Sequence, residues 1–160
     1  MSIIPIEVAI AHLRAEPEDQ PDIQIKLNAA EKRAMAYLQR RFYATLADLN
    51  NAKAGIAQAL IDSRKSYEEA KEQSNDFNNH EDKDIALNHA KDTFNETRRE
   101  IEMIANGMVI TDDVLIGCLL ILGDIYENRG DYENQETVNL ILIPEGSRVW
   151  LAPYRINLGV

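Results

Sequence analysis

The residues best equipped for chemistry fall in three places along this chain of 160 residues. The first is "HEDKDIALNH", which supplies His80, Glu81, Asp82, Asp84 and His89, side chains of the types that ligate a metal. The sequence predicts that His80 lies in a loop and that His89 sits on a helix more than one turn away. A zinc site needs its donors on one face at a fixed spacing, and this stretch does not supply that. A solvated acidic segment is the expected outcome. The second place is the lone thiol, Cys118, set within "VLIGCLLIL". An apolar surrounding disfavours the thiolate, so a small buried hydrophobe is expected there and not a nucleophile. The third is "LLILGDIYENRG", where Tyr126, Glu127, Asn128 and Arg129 follow an apolar run. Tyrosine, glutamate and arginine can exchange protons, yet no oriented nucleophile or second base accompanies them. A hydrogen-bonding cluster at a helix end is the expectation. No glycine-rich phosphate loop, His-Glu-x-x-His helix, nucleophile elbow or paired-cysteine metal motif occurs. The sequence therefore predicts no catalytic residues, no cofactor and no metal.

Charge narrows the partners. Twenty-seven acidic residues against 17 basic ones leave a net charge of −10. Holding the DNA backbone requires clustered Lys and Arg, so specific nucleic-acid recognition is disfavoured. An acidic surface can still stand beside DNA as a wall that does not adhere. With one cysteine no intrachain disulfide can form. The start "MSIIPIEVAIAHLR" lacks the pattern of a signal peptide, and the most apolar run is too short to span a bilayer. A protein of the cytosol, or assembled there, without a membrane partner, is expected.

The elements that must position these residues read as helices. Pro5 opens a short helix with Ile6, Ala9, Ile10 and Leu13 at i, i+3, i+4 and i+7. Pro21 and Asp22 open a second, striped by Ile23, Leu27, Ala30, Ala34 and Leu38 and running to about Arg41. Tyr37, Phe42 and Tyr43 gather at its end. Leu49, Ala52, Ile56, Ala59, Ser63 and Tyr67 then form one narrow heptad-like seam. Leu87, Ala90, Phe94, Thr97, Ile101 and Ile104 form another, with the loop "SNDFNNHEDKD" between them. Two such seams predict a projecting antiparallel hairpin whose arms of roughly 25 residues would reach on the order of 35 Å.

Thr111 is the expected N-cap of a helix from Asp112 to Asn128 that is apolar on nearly every side and so must be covered all round. Gly117 and Gly123 would let another helix approach it closely, and Gly130 would cap its end. Beyond it, Val138 to Ile143 reads as β-prone, and Ser147 to Leu151 as one helical turn stopped by Pro153. The fold class expected is all-α: a small helical bundle with a long antiparallel helical-hairpin insertion and a short extended C-terminal segment. It is read as a single domain over 1–160, with 46–106 as the insertion.

Four stretches in this order, "IEVAIAHLR", "AAEKRAMAYLQRRFYAT", "GMVITDDVLIGCLLILGDIYENRGDY" and "IPEGSRVWLAPYR", resemble the small head–tail connector (adaptor) proteins of long-tailed phages and prophages. Residues 46–106 are unlike the short members of that family. The resemblance implies a non-enzymatic, mainly helical virion subunit. It implies a ring, commonly of about a dozen copies, that closes by head-to-tail contacts beneath the portal protein. Such a ring prolongs the DNA channel, lets DNA pass without reading it, and docks the neck or tail completion protein. It would be made in the host cytoplasm and reside at the virion neck. On this reading Tyr126, Glu127, Arg129, Trp150, Pro153, Tyr154 and Arg155 form an assembly interface, with the end of the apolar helix tied to the terminal Pro-Tyr-Arg or to a neighbour. The alternative is a cytosolic helical regulatory or chaperone-like module that binds a partner through the hairpin.

Overall fold

The computed structural model describes residues 2–128 and 143–156, and it is predominantly α-helical. Arg129, Gly130 and the β-prone run from Val138 to Leu142 lie outside the described residues. The chain divides into two compact units, Met1–Leu46 with Met108–Val160, and Ala47–Gly107.

The first unit is built on α2 (Gln20–Leu38) and α6 (Asp112–Glu127), with α1 (Ile6–Leu13) and α7 (Glu145–Leu151) packed against them. All five stripe residues of α2, Ile23, Leu27, Ala30, Ala34 and Leu38, are without exposed surface. Val114, Cys118, Ile121 and Leu122 of α6 are sealed in the same way. Complete burial of a Leu or Ile side chain stabilises by about 1.5–3 kcal/mol, so this pair of helices carries most of the unit's hydrophobic free energy. The apolar helix is not covered all round, however. Leu115, Ile116, Leu120 and Ile125 keep partial exposure because the other helices reach only part of its circumference.

α2 stops three residues short of the expected Arg41. Gln39 takes a left-handed conformation (φ 57°) and the Arg40 amide closes the helix on the Met35 carbonyl at 3.2 Å. The turn redirects the chain into β1 (Phe42–Tyr43), which pairs in parallel with β2 (Met108–Val109). Thr111 does occupy the N-cap of α6, but its side chain makes no capping hydrogen bond. α7 begins two residues earlier than expected, at Glu145, and ends in a 3-10 turn over Ala152–Tyr154.

The second unit contains α3 (Leu46–Ala54), α4 (Ile56–Gln73) and α5 (His80–Ala105), of which α4 and α5 pack on each other. The seam expected as one helix is interrupted at Gly55, the residue type with the greatest backbone entropy to lose in a helix. The loop is shorter than expected. Asn79 N-caps α5 through a bond from the Glu81 amide at 3.1 Å, and Glu81 and Asp82 favour the first turn of the helix dipole. His80 is therefore helical, not part of a loop. Among the described residues, no helix is long and apolar enough to cross a membrane.

Candidate assembly surface

α2 and α6 run antiparallel, and this geometry separates the residues expected to meet. Tyr126, near the end of α6, lies over the start of α2, where the Lys26 ammonium sits 4.9 Å from its ring centroid. Lys26 is also paired with Asp22 at 2.6 Å, one helical turn away. Tyr154 and Arg155 lie at the opposite end of α6. The Tyr154 hydroxyl donates to Asp113 Oδ2 at 2.7 Å in the first turn of α6, and its carbonyl accepts from Arg40 Nε at 2.7 Å. Arg155 stacks its guanidinium 4.8 Å from the Tyr37 centroid, and the Ile156 amide donates to the Leu38 carbonyl at 3.3 Å. The expected tie between Tyr126 and the terminal Pro-Tyr-Arg within one subunit is thus not made. About thirteen residues of α6 at 1.5 Å each, from Asp113 to Tyr126, separate them. The tail instead latches the end of α2 to the beginning of α6.

Of the remaining members of the expected set, Glu127, Trp150 and Pro153 are accessible. Glu127 is exposed at the last turn of α6, and Asn128 caps that end by donating to Asp124 Oδ1 at 2.9 Å. Pro153 is exposed in the 3-10 turn. On α7 Leu151 is buried, while its neighbours Val149 and Trp150 stay 72% and 39% exposed. Arg129 lies outside the described residues.

Two further residues matter that the helix patterns did not single out. Glu31 is buried beside the α2 stripe. It accepts from Ser2 Oγ at 2.7 Å, from the Ile3 amide at 3.0 Å and 3.1 Å, and from the Ile4 amide at 2.8 Å. One carboxylate thereby secures the start of the chain. Its signal was present, since a charge four residues after Leu27 and three before Ala34 falls on the buried face. Asp113 is the other, noticed for the helix dipole but not as the partner of Tyr154.

Burial pushes the Cys118 thiol up to about 12, with the Glu31 charge adding to the effect, so a thiolate nucleophile does not form there at neutral pH. His80 Nδ1 lies 2.9 Å from Asp84 Oδ2 along α5 in an exposed i, i+4 pair. Among the described residues, no group of three His, Cys, Asp or Glu side chains could hold a metal ion. Comparison with family models, curated proteins and solved structures returns no match to this chain.

Proposed function

We propose that this protein is a structural head–tail connector subunit of a long-tailed phage or prophage. In this role it forms a ring beneath the portal protein, prolongs the DNA channel and receives the neck or tail completion protein. It acts without catalysis, cofactor or metal. The observation that carries the reading is where the family-like stretches lie. Although 61 residues intervene between Leu46 and Met108, the described parts of all four stretches, Gly107 apart, belong to one compact unit, and the intervening segment forms the other. The parallel pairing of Phe42 with Met108 and of Tyr43 with Val109 joins the two blocks where the chain leaves and returns. Two surface features suit ring closure: the Val149–Trp150 pair, and the half-exposed stripe of Ile116 and Leu120 on α6. The net charge of −10 suits a channel wall that does not bind the DNA it surrounds.

Electron microscopy of the purified protein mixed with portal rings of the same virus tests the reading. A connector adds a layer of density to one face of the portal. Unchanged portal images beside soluble, helical protein would refute it and favour the regulatory or chaperone-like alternative.

A further inference from the structure

The turn that takes the chain out of α5 holds the one Asn-Gly step in the sequence, Asn106–Gly107. That pair has a chemistry of its own. Glycine has no Cβ to shield its amide nitrogen, and its backbone moves more freely than that of any other residue. The nitrogen can therefore reach the side-chain carbonyl carbon of the asparagine before it, an approach that a bulkier following residue hinders. Asn106 is exposed, so water reaches the site.

The fold holds the two groups apart. Ring closure requires the Gly107 nitrogen to lie eclipsed with Asn106 Cβ about the Cα–C bond. At ψ 6° it lies eclipsed with the Asn106 nitrogen instead, on a different side of that bond. The amides are engaged as well. Gly107, which is buried, donates to the Ile104 carbonyl at 2.9 Å, and the Asn106 amide donates to the Glu102 carbonyl at 3.0 Å. These bonds close the last turn of α5 and must open before ψ can rotate. Element ends are where such local opening costs least.

We propose that Asn106 is a deamidation site gated by the last turn of α5. Once the turn opens, the Gly107 nitrogen attacks Asn106 Cγ. The N–Cγ bond forms, the Cγ–Nδ2 bond breaks, and the side-chain nitrogen leaves as ammonia with the proton that Gly107 gives up. Water then opens the cyclic imide at either carbonyl, to give aspartate or an isoaspartate whose chain runs through Cβ. Water is the only co-reactant, and nothing is oxidised or reduced. Either product puts a carboxylate at the C-terminal end of α5, where the helix dipole disfavours it. Isoaspartate also adds one backbone atom just before β2. The Met108 amide, now 2.9 Å from the Arg41 carbonyl, and the Ile110 amide, 3.0 Å from the Tyr43 carbonyl, then lose their register with β1. The inference stands independently of the connector reading.

The full chain is aged at mildly alkaline pH, native and in urea, and Asn106 is followed by peptide mass mapping with isoaspartyl methyltransferase labelling. Deamidation at Asn106 is expected in both, about tenfold faster or more in urea, where the turn is lost. Ile104→Ala, which loosens the packing of that turn, should raise the native rate toward the urea rate. Asn106→Gln, whose longer side chain cannot close the same ring, should abolish the reaction. Amide exchange reads the consequence. Met108 and Ile110 should lose protection in the isoaspartate product and keep it in Asn106→Asp, which carries the charge without the extra atom. The proposal is overturned if Asn106 stays intact in urea, if native and urea rates agree, or if the modification concentrates at another asparagine. An unchanged native rate in Ile104→Ala, or full protection of Met108 in the isoaspartate product, would overturn it too.

Discussion

α2 and α4 are helices of nearly equal length, 19 and 18 residues, with apolar positions at similar spacing, and they are buried to very different depths. α2 places Ile23, Leu27 and Leu38 entirely out of water against α6. α4 presents Ala59, Ser63 and Tyr67 to α5 and leaves Leu60 and Ile61 exposed. Periodicity names the face that turns inward, but the size of the residues on it decides how much free energy the contact yields. At ~25 cal/mol per Å² of apolar surface removed from water, a Leu/Ile stripe outweighs an Ala/Ser stripe several-fold. The first unit is thereby built on a core, and the second rests on a shallower two-helix contact.

The largest expected effect tests that contrast directly. Leu122→Asp places a carboxylate where no water reaches and should cost several kcal/mol, enough to unfold the first unit. Ser63→Asp, on the inward seam of α4, should cost under about 1 kcal/mol, since that site is already in contact with solvent. Melting followed by circular dichroism compares them. Equal losses would show that the hairpin seam is as deep a core as α6, and the contrast would fail. Native-state hydrogen exchange gives the same comparison residue by residue, with amides of α2 and α6 expected to outlast those of α4.

What was legible in the sequence follows the same division. The α2 stripe and the apolar α6 announced themselves because large aliphatic residues recur at helical spacing, and every position expected on the α2 stripe is buried. The all-α class was legible for the same reason. The break at Gly55 and the start of α5 at His80 were not, because a single glycine and an Asn cap act locally and leave no mark on the apolar spacing from which the helices were read. The partners of Tyr126 and Tyr154 were missed for a different reason. Nearness in sequence to the end of α6 suggested a common junction, whereas the antiparallel pairing of α2 and α6 sends the two tyrosines to opposite ends. Gly117 is a point of close approach, to Leu151 of α7, whereas at Gly123 no atom of the described residues comes that near.

The second prediction concerns the buried acid of the first unit. Glu31→Ala removes the acceptor for the Ile3 and Ile4 amides and leaves the buried Ile4 amide unpaired. Loss of a buried partner costs about 1–3 kcal/mol, and the first residues should become accessible to an aminopeptidase. Denaturant midpoints of the variant check the loss. Exchange at α4 and α5 amides should not change, and a fall there would show that the two units share one stability.

Next is the pH response of Cys118. The thiol's ordinary value is 9.0, and the fold raises it to about 12. Between these two values the unfolded chain has lost the proton while the folded chain keeps it. Stability is therefore fully present below about pH 9 and falls as pH rises, at up to ~1.4 kcal/mol per pH unit. Cys118→Ala should remove that slope while lowering stability at neutral pH through the lost volume. Urea midpoints of the two proteins at pH 7, 9 and 10 isolate the effect, and parallel curves would mean that the thiol gains access to solvent in the native state.

The smallest effects come from the two glycines of α6, and they should differ in sign. A Cβ at Gly117 would sit 2.6 Å from Leu151 Cγ and 2.7 Å from Leu151 Cδ2, and Leu151 is fully buried with nowhere to retreat. Overpacking of this kind costs about 1–3 kcal/mol, and the gain in helix propensity from Gly to Ala offsets roughly 1 kcal/mol of it. Gly117→Ala should therefore lower stability by about 1 kcal/mol and loosen α7 from α6. Among the described residues a Cβ at Gly123 meets nothing within 4 Å, so Gly123→Ala keeps the propensity gain whole and should raise stability by about 0.5–1 kcal/mol. Calorimetric melting of the two variants beside the parent decides it. The same Gly123 lies on the half-exposed stripe of Ile116 and Leu120. If a neighbouring subunit covers that stripe, the added methyl should stabilise the free chain and yet weaken portal-bound rings. A variant that stabilises both would place the subunit contact on another face, leaving Val149 and Trp150 as the surface to test.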